Sequence, residues 1–342
     1  MRRPTRLGLA IVIPLIAIFG AYSAVWFVIA GRLEDGVVQW AGSLRAQNLD
    51  LSWQTIRVGG FPLALRVTLS EVGLRNLATT APNGALQAPL LSGTARLWNL
   101  RVWQLTASDG LSATANLAGD AVATLSARAA SGSVAIPDDG GATLWLGLTE
   151  PAADTGVRLA ARDADLWLVL PPHPPQTHSD PAVGIALDLH ALTLPAVPAP
   201  FGAAVDEIAL GITVKGAIPA APPRQAAAAW STAGGTLELD HLALRWDTLR
   251  VTGSGTLALD PDLQPIGGFS GTIAGYDELL RGLVAAGRLR PGDARLAGFG
   301  LAMLAKPGQD GRPEIATSFT IQNGEMYLGP AKLGKAPRID WQ

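Results

Sequence analysis

Two histidines, His173 and His178, lie close together in the proline-rich stretch PPHPPQTHSDP of residues 171–181. Imidazole nitrogens bind zinc, but a zinc site needs three or four rigidly held ligands, and only Asp180 lies nearby. Proline-dense chain forms loops or polyproline segments rather than regular elements. We therefore interpret the two histidines as solvated loop residues and predict no metal site.

The most closely spaced carboxylates are the turn pair Asp138-Asp139 and the strand-flanking pair Asp163 and Asp165. Acid–base chemistry needs carboxylates that share a cleft and have shifted pKa values. A turn signal and a strand flank do not indicate such a cleft. We name no catalytic residue among them.

The usual catalytic and nucleotide-binding motifs are missing from the chain. Gly253-Ser254-Gly255 is one residue too short for a G-x-S-x-G elbow and lies in a predicted hairpin. There is no Walker loop, no GxGxxG before a helix and no HExxH. The absence of cysteine excludes thiolate nucleophiles, disulfides and iron–sulfur clusters. We predict no cofactor, and we expect that the protein is not an enzyme.

Aromatic composition is skewed, with ten tryptophans against three tyrosines. A tryptophan ring buries about 150 Å² or more, so these rings can simply fill a core. They can also line an apolar groove that binds something hydrophobic, and both interpretations stay open. Six tryptophans in strand-like runs are our candidate ligand-binding residues on such an apolar face: Trp53, Trp98, Trp103, Trp145, Trp167 and Trp246.

The bulk composition excludes two classes of protein. Hydrophobic residues make up 48% and charged residues only 16%, against about 25% charged in ordinary soluble proteins, so disorder of the bulk is excluded. The net charge is −2, and the arginines are dispersed. Nucleic-acid binding needs clustered cations, so we expect no nucleic-acid partner.

An uncharged segment at residues 7–30 predicts a transmembrane helix, because a helix of this length spans about 36 Å. Three arginines precede it within residues 1–6, whereas the residues that follow are net negative. The positive-inside rule then predicts a cytoplasmic basic tail at 1–6 and an extracytoplasmic chain after Ala30. We expect a single-pass protein of the bacterial inner membrane, with its bulk in the periplasm.

A cleaved signal peptide is the competing interpretation of the same segment. The apolar run from Leu7 to Gly20 is followed by the small residues of Ala21-Tyr22-Ser23-Ala24. Hydrophobicity resumes immediately in residues 25–29, which favours a retained anchor. The next segment, 31–48, is predicted as a juxtamembrane helix whose apolar stripe either docks on the protein's own domain or lies on the membrane. The stripe consists of Leu33, Val37, Trp40, Ala41 and Leu44.

From residue 49 to 342 the hydrophobic period changes to two, which is typical of antiparallel strands with one buried face. We predict one periplasmic β-rich domain built as an elongated, curved antiparallel sheet. Residues 276–306 predict two short helices that form a small cap, the second opened by Pro291. The alanine- and proline-rich segment 217–232 is interpreted as a long connection.

Two elements carry a resemblance to a known family. The stretch GGFPLALRV of residues 59–67 and the tail FTIQNGEMYLGPAKLGKAP of residues 319–337 resemble the bacterial domain-of-unknown-function family 2125. That resemblance implies no catalytic residues. Residues 236–287 are similar to the terminal region of AsmA-like proteins, through Gly253-x-Gly255-x-Leu257-x-Leu259 and the helix that follows. This similarity implies an inner-membrane protein with a curved periplasmic sheet that handles lipids.

Taken together, these features predict a membrane-anchored protein that binds a lipid or other hydrophobic ligand in envelope maintenance. Its expected partners are the bilayer of the inner membrane and the bound lipid. The alternative is a scaffold that binds an envelope protein through exposed sheet edges. An enzyme ranks third.

Overall fold

The computed structural model describes residues 5–77, 83–116, 122–195, 201–308 and 312–341, with side chains described from residue 19 onward. It is 54% strand and 20% helix, which confirms the mainly β prediction. The helices are α1 (Thr5–Arg45), α2 (Pro223–Thr232), α3 (Tyr276–Ala285) and α4 (Pro291–Leu304). The first eight strands are β1 (Leu49–Ser52), β2 (Thr55–Gly59), β3 (Ala64–Asn76), β4 (Asn83–Arg96), β5 (Asn99–Ala107), β6 (Leu111–Asn116), β7 (Val122–Ala127) and β8 (Ala129–Ala135).

The remaining strands are β9 (Ala142–Thr149), β10 (Ala152–Asp154), β11 (Arg158–Ala160), β12 (Asp163–Leu170), β13 (Pro181–Thr193), β14 (Ala204–Lys215), β15 (Thr236–Trp246), β16 (Leu249–Leu259), β17 (Pro265–Ala274), β18 (Ala305–Pro307), β19 (Pro313–Gln322), β20 (Glu325–Leu328) and β21 (Ala331–Lys335). The chain divides into two compact units, residues 1–134 and 135–342. The sequence analysis treats residues 49–342 as one domain, and the structure divides that span between the two units.

Helix α1 runs without interruption for 41 residues, about 60 Å, through both the predicted anchor and the predicted juxtamembrane helix. Among the residues that the structure describes, no helix is long and apolar enough to span a bilayer. The side chains of residues 7–18, the first part of the predicted anchor, lie outside the described set. The transmembrane helix therefore stays a prediction.

One face of α1 packs on the sheet of unit 1. Trp26 and Ala30 are 3% and 7% exposed and form a core cluster with Leu65 of β3, which is 1% exposed. Leu33 packs against this cluster and Ala41 is buried, as docking of the stripe predicts. Trp40 lies off this face and is 57% exposed.

Unit 1 is built around the long strands β3 and β4, which pair antiparallel over most of their length. The other edge of β3 pairs with β1 at its far end and with β2 near its start. The other edge of β4 pairs with β5 and β6, and β7 pairs with β6. The resulting sheet has an apolar face that holds Leu65, Val67 and Leu69, all less than 10% exposed.

Unit 2 contains a long run of antiparallel neighbours in which each strand pairs with the next. The order across the sheet is β9, β12, β13, β14, β15, β16, β17, β19, β20 and β21. Short strands β11 and β18 add to β13 and β19. Short turns connect β15 to β16, β16 to β17, β19 to β20 and β20 to β21. The other neighbours are joined by longer segments, which include α2 between β14 and β15 and α3 and α4 between β17 and β19.

The prediction of a long connection at 217–232 is wrong, because this segment contains α2. Pro223 stands at the first helical turn, where its missing N–H costs nothing, and a run of alanines follows with high helix propensity. The indole of Trp230 donates to the Lys215 carbonyl oxygen at 2.7 Å, and the Ser231 hydroxyl donates to that of Leu259 at 3.0 Å. These tertiary bonds fasten α2 beside the sheet of unit 2.

Helices α3 and α4 lie within the segment 276–306 for which the sequence predicts two short helices. Pro291 stands in the first turn of α4, and a left-handed Gly275 precedes α3. The apolar residues that the sequence places on one face of α4 are exposed rather than packed. They are Leu296 (75%), Phe299 (69%), Met303 (74%) and Leu304 (64%).

Candidate functional site

The register of unit 2 aligns apolar residues across the central strands. Leu166 pairs with Leu187, Leu187 with Leu210, and Leu210 with Leu242, on β12 to β15. Directly paired residues of antiparallel strands project to the same face. Alternate positions along these strands extend the same face, which we call the apolar face of unit 2. Its other members include Ile185, Ile208, Ile212, Leu239, Leu244, Val251, Phe269, Ile273, Ile315 and Phe319.

The opposite face of the same strands is polar. Ser254, Ser270 and Ser318 are directly paired across β16, β17 and β19, and all three are exposed. Beside them the hydroxyls of Thr252 and Thr272 lie 2.8 Å apart. The sheet therefore has two chemically distinct surfaces, as the alternating sequence pattern predicts.

Glycines interrupt the apolar face on β16 and β17. Gly253 pairs with Gly271, and both lie on this face in register with Leu242. A Cβ atom at Gly271 would collide with the Thr252 carbonyl oxygen, and one at Gly253 would lie 3.2 Å from the Ser270 carbonyl oxygen. Glycine is needed at position 271 because the backbones approach too closely for a side chain, whereas a Cβ at position 253 would make only a tight contact. The pair leaves a depression between larger neighbours.

This depression is an open cleft of about 380 Å³, which we call the apolar cleft. Its volume lies in the range of about 300–1,000 Å³ typical of small-molecule sites. The rings of Phe269 and Phe319 lie 6.0 Å apart along one wall. No charged side chain contributes to the lining, and nearly all its surface is apolar. The lining residues are Leu239, Leu242, Val251, Thr252, Gly253, Phe269, Ser270, Gly271, Thr272, Ile273, Thr317, Phe319 and Leu328.

The apolar cleft contains none of the six tryptophans that the sequence analysis names. Trp145 and Trp167 pair directly with each other on β9 and β12. They alternate with Leu146 and Leu166, so they project to the polar face, where the Trp145 indole donates to Asp165 Oδ1 at 2.8 Å. The register therefore places both rings on the face opposite the apolar cleft, because strand alternation, and not residue hydrophobicity, decides the side.

Two further tryptophans of the candidate set lie in strands, one in each unit, and pack against neighbouring residues. Trp246, at the end of β15, stacks on Phe201 with ring centroids 4.3 Å apart and donates to the Gly202 carbonyl oxygen at 2.9 Å. In unit 1, Trp103 pairs with Ala95 on the apolar face and donates to the Leu100 carbonyl oxygen at 2.9 Å. Both rings are half-buried and contact residues of their own unit.

The last two tryptophans of the candidate set lie between strands. Trp53 is half-buried between β1 and β2. Trp98 lies in the turn between β4 and β5 and is 67% exposed. The sequence analysis named none of the residues that line the cleft as ligand-binding residues. The alternation of glycine with leucine in β16 is a signal that could have indicated them.

The polar side chains that could do chemistry are tied into local contacts. Asp163 lies 2.6 Å from Arg162 Nε and its second oxygen lies 2.6 Å from His190 Nδ1. The hydrogen bond from Arg162, followed by the contact with His190, lowers the pKa of Asp163 below its ordinary value. All three side chains are about one-third or more exposed, so this is a surface ion cluster rather than a cleft.

In the proline-rich loop, Asp180 accepts backbone hydrogen bonds first from Thr177 at 2.8 Å and then from Gln176 at 2.9 Å. These bonds lower the pKa of the Asp180 carboxyl and close the turn that contains His178. Over the described ranges, no group of three or more His, Cys, Asp or Glu side chains could hold a metal ion.

The comparison with protein families matches residues 26–337 to the model described as "Uncharacterized protein conserved in bacteria (DUF2125)". The chain belongs to this family. The match begins at Trp26, in the middle of α1, and ends beyond β21, so both units are family features. The similarity to AsmA-like proteins stays a prediction. No curated protein and no solved structure matches the chain.

Proposed function

We propose that this DUF2125 protein is held in the bacterial inner membrane by α1 and binds the acyl chain of a lipid in the apolar cleft of unit 2. The observation that carries the proposal is the cleft itself, an open volume of about 380 Å³ with no charged side chain in its lining. An exposed apolar surface of this kind is unfavourable in water unless something apolar covers it.

The chemistry of the lining favours an acyl chain over a polar metabolite. Thr317 is the one lining residue of the apolar face with a hydroxyl, since Thr252, Ser270 and Thr272 project to the polar face. A polar ligand would leave its hydrogen-bonding groups unpaired, at a cost of about 1–3 kcal/mol each. Each buried methylene contributes about 0.8 kcal/mol, so about eight methylenes would contribute roughly 6 kcal/mol before the cost of ordering the chain.

The membrane anchor of the proposal rests on the uncharged segment 7–30 and on the continuity of α1. The arginines at positions 2, 3 and 6 favour a cytoplasmic N-terminus and a periplasmic location for both units. An anchored protein with a groove that binds acyl chains would withdraw lipid from one leaflet or hold it for another envelope component.

Photo-crosslinking tests the acyl site. The full-length protein in lipid nanodiscs is mixed with a phospholipid that carries a diazirine on one acyl chain, irradiated and digested for mass spectrometry. We expect crosslinks on peptides from β15 and β16, which contain Leu242 and Val251. Labelling confined to α1 would contradict the proposal.

A matched pair of variants provides the control. Thr317→Trp fills the cleft and should reduce the labelling of β15 and β16 by at least about tenfold, equivalent to about 1.4 kcal/mol. Ser318→Trp places the same ring on the exposed polar face and should leave labelling unchanged. If neither variant changes it, the cleft is not the site. If the lipid probe does not label the protein and a protein partner copurifies with it in a stoichiometric amount, the scaffold function replaces the lipid-binding function.

A further inference from the structure

The connection between β2 and β3 exposes three consecutive apolar residues. Phe61 is 39% exposed and Leu63 is 62% exposed, with Pro62 between them. We call residues 60–63 the hairpin tip. Such a group of side chains at the end of a hairpin is unfavourable in water and needs an apolar surrounding.

The hairpin tip lies against the aromatic part of α1. The Phe61 ring centroid is 5.4 Å from that of Trp26, 5.9 Å from that of Phe27 and 6.4 Å from that of Tyr22. The Trp26 indole donates to the Ala64 carbonyl oxygen at 3.0 Å, and the Tyr22 hydroxyl donates to the Pro62 carbonyl oxygen. Phe19 adds a fourth ring, whose centroid lies 5.9 Å from that of Phe61. These contacts place the tip at the level of residues 19–27 of the helix.

The free face of α1 changes its chemistry near Gly31. Before this residue its exposed side chains are the apolar Val25 (55%) and Val28 (54%), while the exposed Phe19 (57%) and Phe27 (64%) lie beside Phe61 of the hairpin tip. After it, the exposed residues include Arg32, Glu34 and Asp35. If α1 is anchored in a bilayer, the change marks the boundary between lipid and water.

The rise of the helix then gives the depth of the hairpin tip. Residues 19–27 stand four to twelve positions before Gly31, which corresponds to about 6–18 Å at 1.5 Å per residue for a helix along the membrane normal. Amphipathic elements bury their apolar faces about 5–10 Å into the interface. Phe61 and Leu63 therefore reach at least the region where headgroups meet acyl chains.

Three arginines lie just behind the tip on the polar face of the sheet. On β2, Arg57 lies two residues from Gly59, which pairs with Arg66 of β3. Arg66 in turn pairs with Thr94 of β4, which lies two residues from Arg96. The three arginines therefore project to the same face of neighbouring strands. All three arginines are exposed. Within the described ranges, none of the three forms an ion pair with a carboxylate. They form a basic patch next to an apolar tip, which is complementary to anionic phospholipid headgroups above acyl chains.

We infer that the hairpin tip is a second membrane contact, in which Phe61 and Leu63 enter the outer-leaflet interface and Arg57, Arg66 and Arg96 bind anionic headgroup phosphates. This inference rests on the membrane anchor of the proposed function. Because α1 is one continuous helix with its docking face on unit 1, the contact fixes the orientation of unit 1 on the bilayer.

The absence of cysteine allows single spin labels to be placed in the full-length protein. Leu63→Cys labels the tip, Val28→Cys labels the free face of α1, and Asp109→Cys labels the turn between β5 and β6, which lies beside the middle of β4 and away from the tip. The proteins are reconstituted in vesicles of phosphatidylcholine and phosphatidylglycerol. Accessibility of each label to oxygen and to a water-soluble nickel chelate is then measured.

We expect the labels at positions 63 and 28 to be accessible to oxygen and shielded from nickel, and the label at position 109 to show the opposite. A tip label accessible to nickel, with position 28 shielded, would overturn the tip contact and leave the anchor intact. Nickel accessibility at both positions would overturn the tip contact and the anchor together. Leu63 is largely exposed, so its replacement does not remove a core residue.

A second comparison tests the headgroup contact. Arg66→Gln is made in the Leu63→Cys protein and studied in vesicles with phosphatidylglycerol. We expect the ratio of membrane-immersed to solvated tip label to fall by about fivefold. Arg75→Gln makes the same change at the far end of the same strand and should have no effect. Equal behaviour of the two variants would overturn the role of the arginines.

Discussion

The apolar faces of the two units are covered to different extents. On the apolar face of unit 1, Leu65 is 1% exposed and Val67 is 7% exposed. Helix α1 contributes Trp26 and Ala30 to the cluster around Leu65. In unit 2 the apolar face carries a row of paired leucines, which we call the leucine row: Leu166, Leu187, Leu210 and Leu242. These residues are half-buried or exposed, with Leu166 39% exposed, and the apolar cleft is open. Both units have strands with one apolar face, and the difference teaches that a covering element decides whether such a face is core or binding surface.

Truncation of a leucine in each unit gives the largest expected difference. Leu65→Ala should lower the free energy of unfolding by about 2–5 kcal/mol, because it leaves a cavity under α1 that cannot collapse. Leu187→Ala, in the leucine row of unit 2, should lower the free energy of unfolding by about 1 kcal/mol. Urea unfolding followed by tryptophan fluorescence measures both, and equal costs would mean that the apolar face of unit 2 is covered as well.

Removal of one hydrogen bond between α1 and the sheet has a smaller effect. Trp26→Phe keeps most of the ring but removes the indole N–H that donates to the Ala64 carbonyl oxygen at 3.0 Å. We expect the free energy of unfolding to fall by about 1–3 kcal/mol, since the partly buried carbonyl oxygen loses its partner. Amide exchange of β3 near Ala64 should accelerate, while amides of β16 in unit 2 should be unchanged; parallel acceleration would contradict local docking.

The smallest effect concerns the ion cluster on the surface of unit 2. The pKa of Asp163 is lowered in the folded protein, first by Arg162 and then by His190. Its contribution to stability is therefore present above the ordinary carboxyl value of 3.8 and is lost as the pH falls through the lower folded value. Thermal unfolding between pH 6 and pH 3 should show a shallower acid decline for Asp163→Asn, and Arg162→Gln should reproduce part of it. An unchanged acid limb in both variants would show that the cluster does not contribute.

Much of the architecture could be predicted from local patterns. Alternation of apolar and polar residues predicted the strands, and the same logic predicted a polar face opposite an apolar one, as the serine row of residues 254, 270 and 318 shows. The segment with α3 and α4 was recognised from its helical period. The segment with α2 was not, because Pro219, Pro222 and Pro223 favour a connection, and four alanines among the ten residues of α2 give only a weak apolar period.

The candidate site illustrates the limit of local reasoning. Trp145 and Trp167 are hydrophobic residues in strands, yet they lie on the polar face because each alternates with the leucines of the other face. Conversely, Gly253 and Gly271 look like turn or bulge residues, and their role in opening the cleft depends on their being paired across two strands. Register between strands is a non-local property, and a shift of one residue would exchange the two faces.

The amino-acid sequence by itself determined the uncharged N-terminal segment, the β-rich body with one-faced strands and the family, because these depend on composition, local period and motifs. Only the tertiary structure decided that α1 covers the apolar face of unit 1, that the hairpin tip meets the aromatic residues of α1, and that the apolar cleft opens between β15 and β20. These features depend on which strands pair and in what register, and hydrogen bonding between distant segments sets both.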